Sequence, residues 1–178
     1  MTIEQDIENA VRVMRAGGII LYPTDTVWGI GCDAKNAEAV ARIYRLKQRE
    51  ESKAMLVLVA RLRRTQPQIV QDGRPTTLIY PRVRNVAKNL LAEDGSLGMR
   101  VTKERFSRAL CLKLGGAIVS TSANISGEPT AKTYEDISPL VRAGVDYICT
   151  YRRDDTEQKQ PSRILKLMKD GTWVTIRD

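Results

Sequence analysis

Three short segments gather side chains that can hold phosphate or carboxylate oxygens. Pro23-Thr24-Asp25-Thr26-Val27-Trp28-Gly29 sets hydroxyls and a carboxylate directly after the apolar run Ile19–Tyr22. Polar groups at the mouth of a buried strand meet ligands at a sheet's edge, and the same Thr and Asp types also satisfy backbone amides in ordinary turns. Lys47-Gln48-Arg49-Glu50-Glu51-Ser52-Lys53 brings three cations before a second apolar run, Met55–Val59. Cations at a helix end also offset its dipole. Ser120-Thr121-Ser122-Ala123-Asn124-Ile125-Ser126-Gly127 crowds four hydroxyls and an amide after a third apolar run. Such a loop can donate to oxyanions from side chains and backbone.

The residues that are absent narrow the chemistry further. The 178 residues contain no histidine, which excludes Ser-His-Asp triads, Cys-His pairs and His-ligated zinc. Cys32, Cys111 and Cys149 are isolated, so no cysteine zinc site is expected, and an odd, scattered set fits a reducing compartment. No G-x-x-x-x-G-K-[ST] occurs, which excludes a P-loop nucleotidase. Gly29-Ile30-Gly31-Cys32-Asp33-Ala34 matches G-x-G-x-x-A, but a dinucleotide fingerprint must link strand directly to helix, and here a seven-residue loop intervenes. Lys, Arg, hydroxyls, amides and carboxylates remain, an inventory suited to phosphate. The formal net charge of +8 fits phosphate-bearing partners, and also a merely soluble basic surface. Aromatics at 5% argue against a base-stacking platform.

Positioning these segments requires alternating strands and helices. Thr2 and Gln5 form a capping-box pair, Ile3, Ile7, Val11 and Met14 share one helical face, and Gly17-Gly18 ends the helix. Asn36 caps a second helix to about Lys47. Further helices are expected at Asn85–Leu91, Glu104–Leu114 and Tyr134–Val141. Strands are expected at Met55–Val59, Thr77–Tyr80, Leu97–Val101, Ala117–Thr121 and Val145–Cys149, with a closing hairpin of Ile164–Met168 and Thr172–Ile176 around Asp170-Gly171. Arg152 to Pro161 reads as a mobile surface loop. No apolar run approaches the ~20 residues of a membrane helix, and the polar, acidic N-terminus is unlike a secretory signal. The pattern predicts one α/β domain over residues 1–178, built on a mixed sheet.

The three segments, in this order, resemble the YrdC family, the threonylcarbamoyl-adenylate synthases. The resemblance rests on Tyr22–Gly29, Lys47/Arg49, Gly98-Met99-Arg100-Val101, Ser122/Asn124, Pro161-Ser162 and Ile176-Arg177, and runs from about Gly17 to Arg177. It implies the short, single-domain form: a twisted mixed β-sheet flanked by helices, with a concave basic cleft. The implied activity joins L-threonine, bicarbonate or CO₂, and ATP into threonylcarbamoyl-AMP and pyrophosphate, for the t6A modification of tRNA in the cytoplasm. The resemblance casts Lys47 and Arg49 as catalytic. ATP contacts would come from Arg49, Lys53, Ser96, Ser122, Asn124, Thr130 and Arg177, with Mg²⁺ carried by the phosphates and no protein metal site. Thr26, Arg100, Ser120 and Ser162 would hold threonine, with Arg100 forking onto its carboxylate. Proteins of the t6A machinery and tRNA itself are the implied partners. The alternative is a non-catalytic module binding double-stranded RNA or tRNA in the cleft, since A-form RNA is read through phosphates more than aromatics. The sequence departs from the family at Gly73-Arg74-Pro75-Thr76-Thr77, where a shortened approach implies a lost helix on one cleft wall. It departs again at Glu104-Arg105, in place of His-Pro, and at Glu50, in place of proline.

Overall fold

The computed structural model describes residues 1–50 and 55–178. Helix α1 (Ile3–Arg15) starts on the Thr2/Gln5 capping box and buries Ile7, Val11 and Met14. Strands β1 (Ile20–Tyr22) and β2 (Gly29–Gly31) follow, then α2 (Ala37–Lys47), capped by Asn36 and ended by left-handed Gln48. Strands β3 (Leu56–Val59), β4 (Thr76–Tyr80) and β5 (Leu97–Val101) lead to α3 (Arg105–Leu114). The chain closes with β6 (Ile118–Ser122), α4 (Pro139–Gly144), β7 (Tyr147–Ile148), β8 (Arg163–Leu167) and β9 (Trp173–Arg177).

The nine strands of the described residues form one sheet in the order β7-β1-β2-β6-β3-β5-β4-β8-β9. Pairs β1/β7, β3/β5 and β4/β8 are parallel and the rest antiparallel, so the expected mixed sheet is present. Strand side chains alternate between faces. On one face Val57, Leu78, Tyr80, Leu97, Val119 and Leu165 share a core with Val40, Ile43 and Tyr44 of α2. On the other, Ile20, Tyr22, Leu58 and Ile118 meet α1 and α3. Arg100 falls on this second face, as do Ser120 and Ser162.

Several local expectations are corrected. Gly29-Ile30-Gly31, whose match to a dinucleotide fingerprint the intervening loop argues against, forms a strand between β1 and β6. A β-carbon on Gly31 would lie 2.4 Å from Val119 O and 2.6 Å from Tyr22, so strand packing accounts for this glycine. Asn85–Leu91 forms only a 3-10 turn at Lys88–Leu90, because Asn85 is left-handed (φ 62°) and Ala87 is non-helical (ψ 137°), so helical geometry begins only after them. Tyr134–Val141 shifts to Pro139–Gly144, because Pro139 fits a first turn capped by Ser138. Between β3 and β4 the one helical piece is a 3-10 segment, Gln68–Asp72. It is tied to β8 by Arg163, whose guanidinium meets Asp72 at 2.9 Å and Thr76 Oγ1 at 2.9 Å. Glu104 caps α3, its carboxylate accepting from Phe106 N and Ser107 N.

Candidate active site

Where α1 and α3 stop covering their face, the ends of β1, β2, β5, β6 and β8 leave a cleft of about 290 Å³. Thr24, Thr26, Trp28 and Gly29 form one wall, Ser120, Thr121 and Ser122 another, and Pro161, Ser162 and Arg177 a third. Arg49, Arg100 and Arg177 all line it, with no carboxylate among the described lining residues.

The first wall is a turn held by hydroxyls. Thr24 Oγ1 donates to Val27 O at 2.7 Å and accepts from Thr26 N at 3.1 Å. Thr24 therefore satisfies the turn, while Thr26 lines the cleft. Asp25 reaches the buried Arg100, Nε and Nη2 each 3.1 Å from its Oδ1. The remaining edge of Arg100 meets Thr77 Oγ1 at 3.4 Å and Thr26 Oγ1 at 3.3 Å. Thr77 and Ser162 hydroxyls are 2.8 Å apart, and Arg177 donates to Ser162 O at 2.7 Å. One hydrogen-bonded chain thus runs Thr26–Arg100–Thr77–Ser162–Arg177. Burial, then the nearby Arg100 charge, lowers the Arg177 pKa, which favours an anion between the two arginines.

The second wall rests on Lys47. Its ammonium is buried beneath the loop and donates to Ser122 O at 2.5 Å and Asn124 O at 2.7 Å. Burial, with Arg49's charge second, pushes its pKa down to about 8. Lys47 therefore positions the serine-rich loop and does not line the cleft.

The fold brings Thr26, Arg100, Ser120 and Ser162 to the cleft together with Arg49, Ser122, Thr130 and Arg177. Ser96 and Asn124 do not reach it. Ser96 Oγ donates to Asp94 in the turn before β5, and Asn124 Nδ2 donates to Ile125 O and Glu128 O within its own loop. Lys53 lies outside the described residues. Sequence reasoning did not single out Met55, Leu56 and Ile164, the apolar floor, as site residues; their place in or beside the strands next to the polar segments was the available signal. The stretch expected to be a free loop, Arg152 to Pro161, is anchored at Arg152, which donates to Thr24 O at 3.2 Å and pairs with Asp155 at 2.6 Å. All three cysteines are buried and free. Burial raises each thiol's pKa, that of Cys111 to about 12, so none is an active nucleophile.

Comparison with known proteins gives a consistent result. The family model Sua5/YciO/YrdC, described as "Telomere recombination", matches residues 12–178. The threonylcarbamoyl-AMP synthase of Thiobacillus denitrificans is 42% identical over 132 residues, 67% of this chain and 70% of the relative. That of Stenotrophomonas maltophilia is 33% identical over 174 residues, 90% of this chain and 94% of the relative. Among solved structures, E. coli YciO superposes with a TM-score of 0.82 at 26% identity, covering 99% of this chain and 90% of that one. P. abyssi Sua5 complexed with L-threonine superposes at 0.81 and 21% identity, covering 98% of this chain and 54% of that one, and supports the fold alone.

Proposed function

This chain belongs to the Sua5/YciO/YrdC family, and on that premise we propose that its cleft joins L-threonine, bicarbonate or CO₂, and ATP into threonylcarbamoyl-AMP and pyrophosphate. It is an enzyme of the threonylcarbamoyl-AMP synthase type, a nucleotidyltransferase. The observation that carries the reading is the lining itself: three arginines, a belt of hydroxyls and, among the described lining residues, no carboxylate, a surface complementary to polyanions. Threonine's amine takes up CO₂ as a carbamate, a carbamate oxygen attacks the α-phosphorus in line, and pyrophosphate leaves. Such chemistry asks for positioning and charge stabilisation more than covalent help, which a site without histidine can supply.

In this reading Thr26, Ser120 and Ser162 face threonine, and its carboxylate meets the Nη edge of Arg100. Arg49, Arg177, Ser122 and Thr130 face the nucleotide. In this proposal Mg²⁺ arrives on the ATP phosphates and would neutralise part of their charge, while the hydroxyl and guanidinium donors of the cleft face the remaining phosphate oxygens. Delivery to tRNA for t6A formation, with the proteins of that machinery, in the cytoplasm, completes the proposal. Three buried thiols support a reducing location, and no described helix is long and apolar enough to cross a membrane.

The test is amino-acid-dependent pyrophosphate release from ATP. Threonine is expected to be the best substrate, serine about fivefold poorer for one lost methyl, and valine at least ~100-fold poorer, because the missing hydroxyl leaves buried partners unpaired. Equal use of valine and threonine would refute a hydroxyl-reading pocket, and no amino-acid dependence would refute the activity. Arg49→Ala should release pyrophosphate at least ~10-fold more slowly while melting like wild type, since a charged hydrogen bond contributes about 1.5–3 kcal/mol. An unchanged rate removes Arg49 from the site.

A further inference from the structure

A second cavity, of about 400 Å³, lies against β4 and β5. Leu62, Val70, Leu78 and Val101 give it an apolar floor, with Val70 supplied by the 3-10 segment Gln68–Asp72. Among the described residues it shares no lining residue with the cleft. Alternation along the strands accounts for the separation. Thr76 and Leu78 line the cavity, while Thr77 between them meets Arg100 on the cleft side. Val101 lines the cavity, while Arg100 lines the cleft. The two spaces therefore stand back to back across the β4/β5 pair.

One carboxylate joins them. Asp25 is the only acidic group among the described residues that line the second cavity. Its Oδ1 takes both contacts from Arg100, each at 3.1 Å, and its Oδ2 accepts no hydrogen bond among the described residues. The cavity also receives Lys103, three residues beyond Arg100, which is exposed and has no ion pair among the described residues. The other lining cation, Arg74, is already held by Asp178 at 2.8 Å. A second link runs through the 3-10 segment. Its Asp72 meets Arg163 at 2.9 Å, and Arg163 directly follows Ser162 of the cleft.

This lining selects a ligand. An aliphatic floor calls for an apolar body, and an open carboxylate oxygen with an open ammonium calls for one group of each sign. A polyanion would bring its charge against Asp25, and a wholly apolar molecule would leave Asp25 and Lys103 unmatched. We infer that this cavity is a regulatory site for an α-amino acid with a bulky apolar side chain, its ammonium on Asp25 and its carboxylate on Lys103, coupled to the cleft through Arg100. A cation on Oδ2 competes with Arg100 for the shared carboxylate. The Arg100 fork is then freer to hold an anion in the cleft, so the effector tightens threonine binding, and threonine tightens the effector by the same factor. Binding in the cavity stands apart from the catalytic reading; its coupling to threonine rests on that reading.

Calorimetric titration of the full chain without ATP tests this, with L-phenylalanine and L-leucine as probes. One molecule of either per chain is expected, with phenethylamine and 3-phenylpropionate, which each lack one charge, at least ~10-fold weaker than L-phenylalanine. Lys103→Ser should weaken L-phenylalanine at least ~5-fold, and Val70→Phe, which fills the floor, should abolish its binding. Both variants should keep the wild-type melting temperature and release pyrophosphate at the wild-type rate when no effector is added. Should Val70→Phe melt early, Lys103→Ser decides alone. The cleft variant Arg49→Ala should bind L-phenylalanine as wild type does. Saturating L-phenylalanine should lower the Kd for L-threonine about fivefold. The site is refuted if wild type binds neither probe, if Lys103→Ser binds undiminished, or if L-threonine displaces L-phenylalanine mole for mole, which would place both in the cleft. An unchanged threonine Kd overturns the coupling. L-Phenylalanine binding by a chain that binds no threonine and releases no pyrophosphate would count against the catalytic reading and leave the site standing.

Discussion

Arg100→Ala is expected to lose about 3–5 kcal/mol of stability, because it leaves the Asp25 carboxylate buried without its partner. The guanidinium is almost fully buried, and Asp25, Thr26 and Thr77 all converge on it. Threonine-dependent pyrophosphate release should fall at least ~100-fold, from the loss of a charge-assisted contact and of the hydroxyls that Arg100 orients. Stability and catalysis can be separated in a double-mutant cycle. Adding Asp25→Asn removes the orphaned charge, so chemical denaturation should return much of the stability while the rate stays low. A double variant that regains threonine-dependent activity would show that Arg100 only neutralises Asp25.

The second large effect is expected at Lys47. Replacing it with methionine keeps the packing volume but removes both bonds to the Ser122 and Asn124 carbonyls. Two buried acceptors left unpaired cost about 2–4 kcal/mol, and the serine-rich wall loses its register, so pyrophosphate release should drop ~100-fold. The pH dependence gives an independent reading. The native pKa of about 8 lies below the ordinary 10.5. Between those values the unfolded chain holds a proton that the native protein has released, so stability contributed by this site rises with pH across that window. The difference in unfolding free energy between wild type and Lys47→Met should therefore widen as pH climbs from about 8 to 10.5. A pH-independent difference would mean that the ammonium is not held in the buried setting described, and wild-type kinetics for Lys47→Met would remove it from the support of the cleft.

Much of this protein was legible in one dimension. The capping box at Thr2, the strands after Gly17-Gly18 and before Pro23, the apolar run at Val57 and the Asp170-Gly171 hairpin depend on contacts within a few residues, and such contacts leave periodic or turn-specific marks in the sequence. The same holds for the hydroxyl-rich and cationic segments, because each motif is contiguous. Long-range pairing decided the rest. Nothing near Gly29-Ile30-Gly31 marks it as a strand, since one of its two neighbours, β6 with Ser122, comes from far along the chain. Arg100 reads as a free cation until the fold delivers Asp25 to it. Lys47 reads as a cation at a helix end until the fold brings the Ser122 and Asn124 carbonyls onto its ammonium. The sequence determined which groups were present and how each local element formed; only the tertiary structure decided which charges were neutralised within the fold and which remained open for a ligand, because charge partnership depends on distance in space, which sequence separation does not encode.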